Sequence, residues 1–373
     1  MGSAYTPGLT VSADTIVRRV RRLPIKGEVL VKDGDKVNPD SAVARALLPG
    51  ALQTIKLSDR LGVEAREVTH FFMLKEGDPI EKGQLVAETK GFLGMGRQKL
   101  ESDYSGTVET VSEISGSVLV REASIPVEID AYIQGTVVDI IPEEGAIVET
   151  RGAMVQGIFG VGGERTGTIR IAVDSPSEVL QASHVKADDA GVILVGGAGV
   201  TLEALQRASQ VGASGVIAGG VRDVDLIQFL GYDIGVAITG QEAINLTLMV
   251  TEGFGDLSMA ERTFKLLKSI EGRMASINGA TQIRAGVIRP EIIVPMETAG
   301  GAPPAASGSN ELGSGTPIRI IREPYFGRLG VVTELPAQLV EVESGTEVRV
   351  LKAKLDSGEE VCVPRANVEI IAT

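Results

Sequence analysis

The chain has no tryptophan, one cysteine and two histidines among its 373 residues. With Cys362 alone, an internal disulfide framework and any cysteine-based zinc site are excluded. With only His70 and His184, so is a histidine-rich metal site. Aromatic residues make up 3% of the chain, so its cores must be packed from Val, Ile, Leu and Ala. The net charge of −13 opposes general binding to nucleic acid or an anionic membrane, although a local basic patch stays open. No Gly-Lys-Ser/Thr occurs, which removes the phosphate loop of P-loop nucleotide enzymes. The first residues lack the apolar core of a signal peptide, and no charge-free apolar run reaches bilayer-spanning length. The expectation is a soluble cytoplasmic protein without a membrane partner.

What is present points to several domains. The length suggests two or three, and 43% apolar content supports substantial cores. Between Ala190 and Gly272, apolar runs alternate with helix patterns. Val192 to Val195 reads as a buried strand closed by Gly196 and Gly197. Thr201 can cap a helix carrying Leu202, Leu205 and Ala208, with Gly212 as its stop. Val216 to Ala218 reads as the next strand, closed by Gly219 and Gly220. Asp223 can cap a second helix that stops at Gly231. Ile234 to Ile238 reads as a third strand, and Leu246 to Val250 as a fourth, with a helix over Gln241 to Val250 as the alternative. Ser258 and Glu261 have capping-box spacing for a last helix ending at Gly272. The alternation predicts a Rossmann-like parallel sheet with crossover helices over residues 173–296.

Ligands of such sheets bind at the carboxyl ends of the strands. Here the candidates are Gly196, Gly197, Gly199, Gly219 and Gly220, whose amides could hold an anion; tight strand-to-helix turns are the alternative. Leu202 stands where a dinucleotide fingerprint begun by Gly197 and Gly199 needs its third glycine. Further on, Met274 to Pro295 reads as a β-hairpin packed on the core. There Asn278 and Gln282 could read a polar ligand, and Arg284 and Arg289 could grip an anion; alternatively the arginines pair with Glu291 or other acidic neighbours. His184, near Lys186, Asp188 and Asp189, reads as a surface histidine for want of an adjacent nucleophile. The glycine-dense stretch from Gly157 to Glu164 is a ligand-gripping loop or, more blandly, a turn or bulge.

The N-terminal third is repetitive. Residues 1–22 read as an arm, polar at its start, whose cluster Arg18, Arg19, Arg21 and Arg22 either contacts phosphate or alternates along an edge strand. After it, Gly34, Asp35, Val37, Val43 and Ala44 recur 43 residues later as Gly77, Asp78, Ile80, Val86 and Ala87. Gly106, Thr107 and Val108 recur as Gly135, Thr136 and Val137. Glu76 to Ala87 and Ser105 to Val120 resemble the barrel-sandwich hybrid of lipoyl and biotinyl carrier domains, and the likeness covers residues 23–172. The resemblance implies paired β-hairpin halves and, in carriers, a modified lysine at a hairpin tip. Glu88, Thr89 and Lys90 are similar to the lipoyl sequence, but Gly91 to Gly96 intervene and Lys99 sits too close to Gly106. A structural sandwich without a cofactor is expected, as in RNA polymerase and RnfC-type subunits; the cysteine clusters of the latter are absent.

Residues 297–316 are rich in Gly, Ala, Pro and Ser and read as a flexible linker. Residues 317–373 read as a separate all-β module. Pro324 to Val332, with Phe326, Gly327, Gly330 and Val332, resembles the KOW motif of NusG/Spt5-type factors, and Leu355 to Ile371 is similar to that family's closing strands. The resemblance implies a small SH3-like barrel whose loop contacts RNA or protein, here through Tyr325, Phe326, Gly327, Arg328 and Leu329. From Thr316 onward seven Lys/Arg oppose nine Asp/Glu, a net of −2, which favours a protein partner over RNA. The fold class expected is multidomain α/β plus all-β. The leading function is a non-enzymatic scaffold or adaptor associated with transcription or translation machinery. A small-molecule or nucleotide-binding sensor or enzyme using the glycine turns is the alternative.

Overall fold

The computed structural model describes residues 9–89, 97–232, 244–281, 288–296, 312–320, 324–325, 328–341, 347–355 and 357–370. The expected strand Ile234 to Ile238, Lys90 with Gly91 to Gly96, the candidates Gln282, Arg284, Phe326 and Gly327, and linker residues 297–311 lie outside that set. The fold is mostly β: strand takes up 47% and helix 15%, so sheets rather than helix layers set the architecture.

One large mixed sheet runs through most of the chain. Its order is Phe159–Val161, Thr247–Phe254, Gly215–Val221, Val192–Val195, Glu164–Ile171, Met274–Asn278, Glu291–Pro295, Gly145–Gln156, Gly135–Ile141 and Lys36–Val37. Four neighbours, from Glu164–Ile171 to Thr247–Phe254, are parallel. Both central strands are buried along most of their length, as expected for strands covered on two faces. Glu164–Ile171, which the sequence reading assigned to the preceding β region, pairs in parallel with Val192–Val195. The predicted hairpin after the core is present as the antiparallel pair Met274–Asn278 and Glu291–Pro295.

Local signals placed the helices well and some caps badly. Thr201 Oγ1 accepts from the Ala204 amide at the start of Leu202–Val211, and Gly212 ends that helix at φ 79°. The helix Asp223–Leu230 is flanked by Arg222 rather than capped by Asp223, and Gly231 ends it in the left-handed region. The helix Glu261–Ser269 starts after Ala260 without a Ser258 cap. The amide of Ala260, just before its first residue, is instead satisfied from the sheet, as described below. The Gly215–Val221 strand also runs on through Gly219 and Gly220 instead of stopping there.

Of the N-terminal arm, residues 9–22 are described. Val11–Arg22 lies antiparallel to the whole of Gly145–Gln156, with Val20 opposite Ile147 and Arg22 opposite Gly145.

The sequence repeat becomes a nested duplication. In the first copy Gly34 N donates to Val137 O, Val137 N to Asp35 O, and Asp35 Oδ2 accepts from Lys32 N, all at 2.8 Å. In the second, Gly77 N donates to Val108 O (2.8 Å), Val108 N to Asp78 O (2.9 Å), and Asp78 Oδ2 accepts from Lys75 N (2.7 Å). Each Gly-Asp turn therefore closes on its own Gly-Thr-Val. Lys36–Val37 pairs with Gly135 and Thr136, and Pro79–Ile80 with Gly106 and Thr107. Even the bulge is shared: Ala42 and Ala44 face Asp130 and Ile129, while Leu85 and Ala87 face Glu101 and Leu100. Each copy has its own core, one around Val37, Val43, Ile133 and Val148, the other around Ile55, Leu57, Val86 and Val118. The second copy sits at the hairpin tip of the first, because Leu48 and Ile125 pair directly and the chain between them builds the second unit.

The C-terminal strands Pro317–Ile320, Leu329–Glu334, Leu339–Glu341, Glu347–Leu355, Glu360–Pro364 and Val368–Ile370 form a separate sheet over a core of Ile318, Ile320, Val332, Leu351 and Val363. The end of the stretch read as linker belongs to it: Gly315 N donates to Val332 O and Val332 N to Thr316 O. Among the described residues no helix is long and apolar enough to cross a membrane.

Candidate functional site

The carboxyl ends of the parallel strands are occupied by the chain itself. Gly196 N donates to Ile217 O (2.7 Å), Gly219 N to Gly197 O (2.7 Å) and Gly220 N to Ala198 O (2.9 Å). The amides of Gly196, Gly219 and Gly220 are thus engaged by backbone carbonyls rather than aimed at an open anion site. Close approach explains these glycines: a Cβ on Gly219 would lie 2.0 Å from Leu257 O, and one on Gly220 2.1 Å from Gly255 O. At Gly199, a Cβ would meet Asp256 Oδ1 at 2.7 Å, so a carboxylate stands where an anionic ligand would approach.

The surroundings are acidic. Arg222 pairs with Asp225 at 2.8 Å, and Asp256 and Glu203 add to the field that raises the Arg222 pKa after that hydrogen bond. Next to this pair is an open cavity of about 500 Å³ lined by Arg222, Asp223, Val224, Asp225, Phe254 and Gly255. Phe254 is half-exposed there and tilts against Phe159, with ring centroids 4.9 Å apart.

Glu252, on Thr247–Phe254, was not singled out by sequence. Its side chain is only 2% exposed. Oε1 accepts from the Ala260 amide (3.0 Å), which supplies the missing cap of Glu261–Ser269. Oε2 accepts from Arg319 Nη1 (2.9 Å), on the first strand of the C-terminal sheet. A lone carboxylate inside an apolar run carries no periodic signal, so nothing in the pattern marked it.

A second buried polar group sits where the N-terminal strand crosses the large sheet. Arg21 Nη1 and Nη2 each lie 2.6 Å from a Glu164 oxygen, and its Nε donates to Asp130 O (2.6 Å). Arg19 pairs with Glu291 through both carboxylate oxygens. Glu291 is therefore held by the N-terminal strand. Between the pairs lies Tyr132, with the Arg21 guanidinium 5.4 Å from its ring centroid. Tyr132 has φ 67°, and Ile133 N donates to Ala131 O across it, a γ-turn of the rare positive-φ kind. Its carbonyl accepts from Ser276 Oγ (2.7 Å), while its buried hydroxyl meets no partner among the described residues. Burial, with Glu291 and Glu164 nearby, pushes the phenol well above its ordinary pKa. The arginines at 18 to 22 thus serve as internal ties: Arg18 pairs with Glu149 on the adjoining strand and Arg22 with Glu144 in the turn just before it.

The remaining candidates are dispersed. Asn278 Oδ1 accepts from Ala280 N (2.8 Å), and Arg289 is half-exposed. His184 Nδ1 accepts from the Gln181 amide (3.2 Å) and its Nε2 lies 3.5 Å from Glu178 Oε1, while Asp189 is held by Arg170 (2.6 and 2.8 Å). Within Gly157 to Glu164, Phe159–Val161 is an edge strand paired with Thr247–Phe254. In the C-terminal module Tyr325 packs against the core, Arg328 is exposed and Leu329 half-buried. Gly330 is a strand residue whose Cβ would meet Lys354 O at 2.8 Å, so close packing rather than a turn requires it. Among the described residues no group of three or more His, Cys, Asp or Glu is arranged to hold a metal. No protein-family model matches the chain, and no curated protein matches it in sequence.

Proposed function

We propose that the chain is a non-enzymatic scaffold or adaptor. On this reading residues 23–172 are barrel-sandwich-hybrid-like, residues 173–296 are a Rossmann-like core, and the C-terminal strands are an SH3-like, KOW-type module that engages a protein partner in the cytoplasm. The observation that carries the reading is at the glycine edge, where Gly196, Gly219 and Gly220 donate to backbone carbonyls and Asp256 abuts Gly199. An edge filled by its own backbone and faced with carboxylates is a poor cradle for phosphate. Of the described candidates in the module Arg328 is exposed, and its planar guanidinium suits a partner carboxylate, in a module too acidic for phosphate-driven affinity. Affinity purification of the tagged chain from its native cells tests this. A polymerase or ribosomal partner that is lost in Arg328→Ala supports the adaptor. Tight RNA binding by the chain at physiological salt overturns the protein-partner assignment.

The cavity of about 500 Å³ beside Arg222 and Phe254 favours a second reading, a small-molecule sensor at the carboxyl edge. A rise in melting temperature with a nucleotide, abolished by Phe254→Ala, supports that reading over the first.

A further inference from the structure

Glu252 joins three parts of the fold through one carboxylate. It lies beside Gly253, which pairs with Gly220 at the carboxyl end of the parallel strands. One of its oxygens holds the amide before helix Glu261–Ser269, and the other holds Arg319 in the C-terminal module. The side chains of Arg319 and Glu252 are 10% and 2% exposed, so water screens the pair little. A carboxylate buried to this degree persists because it is paired, and removing its cation leaves an uncompensated charge. The intervening sequence is rich in Gly, Ala, Pro and Ser.

We infer that Glu252 and Arg319 form a latch that keeps the C-terminal module closed over the carboxyl edge of the parallel strands. The buried pair sets the geometry of the closed state. Loss of either charge raises the open population by roughly two to three orders of magnitude.

The test is a spin-label distance measurement on the full chain, and it needs no partner, so its failure is separable from that of the adaptor reading. One label goes on Cys362, which is exposed in the module, and one on Lys265→Cys, on the exposed face of Glu261–Ser269. The parent should give one narrow distance distribution. Arg319→Met and Glu252→Gln should broaden it, whereas Arg319→Lys should keep it narrow. Glu252→Gln retains an oxygen for the Ala260 amide, so amide exchange at the start of that helix should stay slow. A broad distribution in the parent, or a narrow one in both Arg319→Met and Glu252→Gln, overturns the latch.

Discussion

Arg21 and Glu164, 143 residues apart, face each other through two parallel hydrogen bonds of 2.6 Å and tie the N-terminal strand to the first strand of the parallel run. The Arg21 side chain is 10% exposed and Glu164 35%, so the pair is half in water. Arg21→Met should cost about 2–3 kcal/mol, below the range for a fully buried pair, because Glu164 regains hydration. Chemical denaturation at neutral pH measures this. A loss under about 0.5 kcal/mol would reduce the pair to a surface contact.

Tyr132 should give the alkaline limb of the stability profile. Its folded pKa lies above the unfolded value, first through burial and then through Glu291 and Glu164. The stabilisation is therefore complete below about pH 10 and is lost as pH rises toward the folded value. Tyr132→Phe removes an unpartnered hydroxyl and should stabilise the protein by up to about 1 kcal/mol at pH 7. Above pH 10 it should lose stability less steeply than the parent. Parallel alkaline slopes would show that the phenol does not titrate with unfolding.

Glycines at the carboxyl edge should be sites of packing. Gly219→Ala places a methyl 2.0 Å from Leu257 O and should destabilise by more than about 3 kcal/mol. A Cβ on Gly163 meets nothing within 4 Å, so Gly163→Ala should change stability by about 0.5 kcal/mol at most. Thermal melts of the two variants give the comparison, and equal effects would refute the close-approach argument.

The nested unit should be removable. Since Leu48 and Ile125 pair directly, replacing residues 49–124 by Asn-Gly closes a two-residue hairpin on the first copy. The shortened chain should melt in a cooperative transition, having lost only the core around Ile55, Val86 and Val118. A molten product would mean that the two copies need each other.

Much of the fold was legible because it depends on local signals. The Gly-Asp turns recur since a glycine at φ near +90° and an aspartate bonding back three residues form the same turn wherever they appear. The strands Val192–Val195 and Thr247–Phe254, the Thr201 cap and the stops at Gly212 and Gly231 also follow from neighbours in sequence. What only the tertiary structure decided are contacts between distant segments. The nesting of the copies depends on which Gly-Thr-Val closes which turn, and both choices satisfy the same local chemistry. The Glu252–Arg319 and Arg21–Glu164 pairs join residues 67 and 143 positions apart, and no periodicity encodes a single buried charge. The glycines at 196, 219 and 220 looked alike for a turn, an anion cradle or a close backbone crossing. Burial decided among them, because a packed interior must satisfy every amide, and here the nearest acceptors were the protein's own carbonyls.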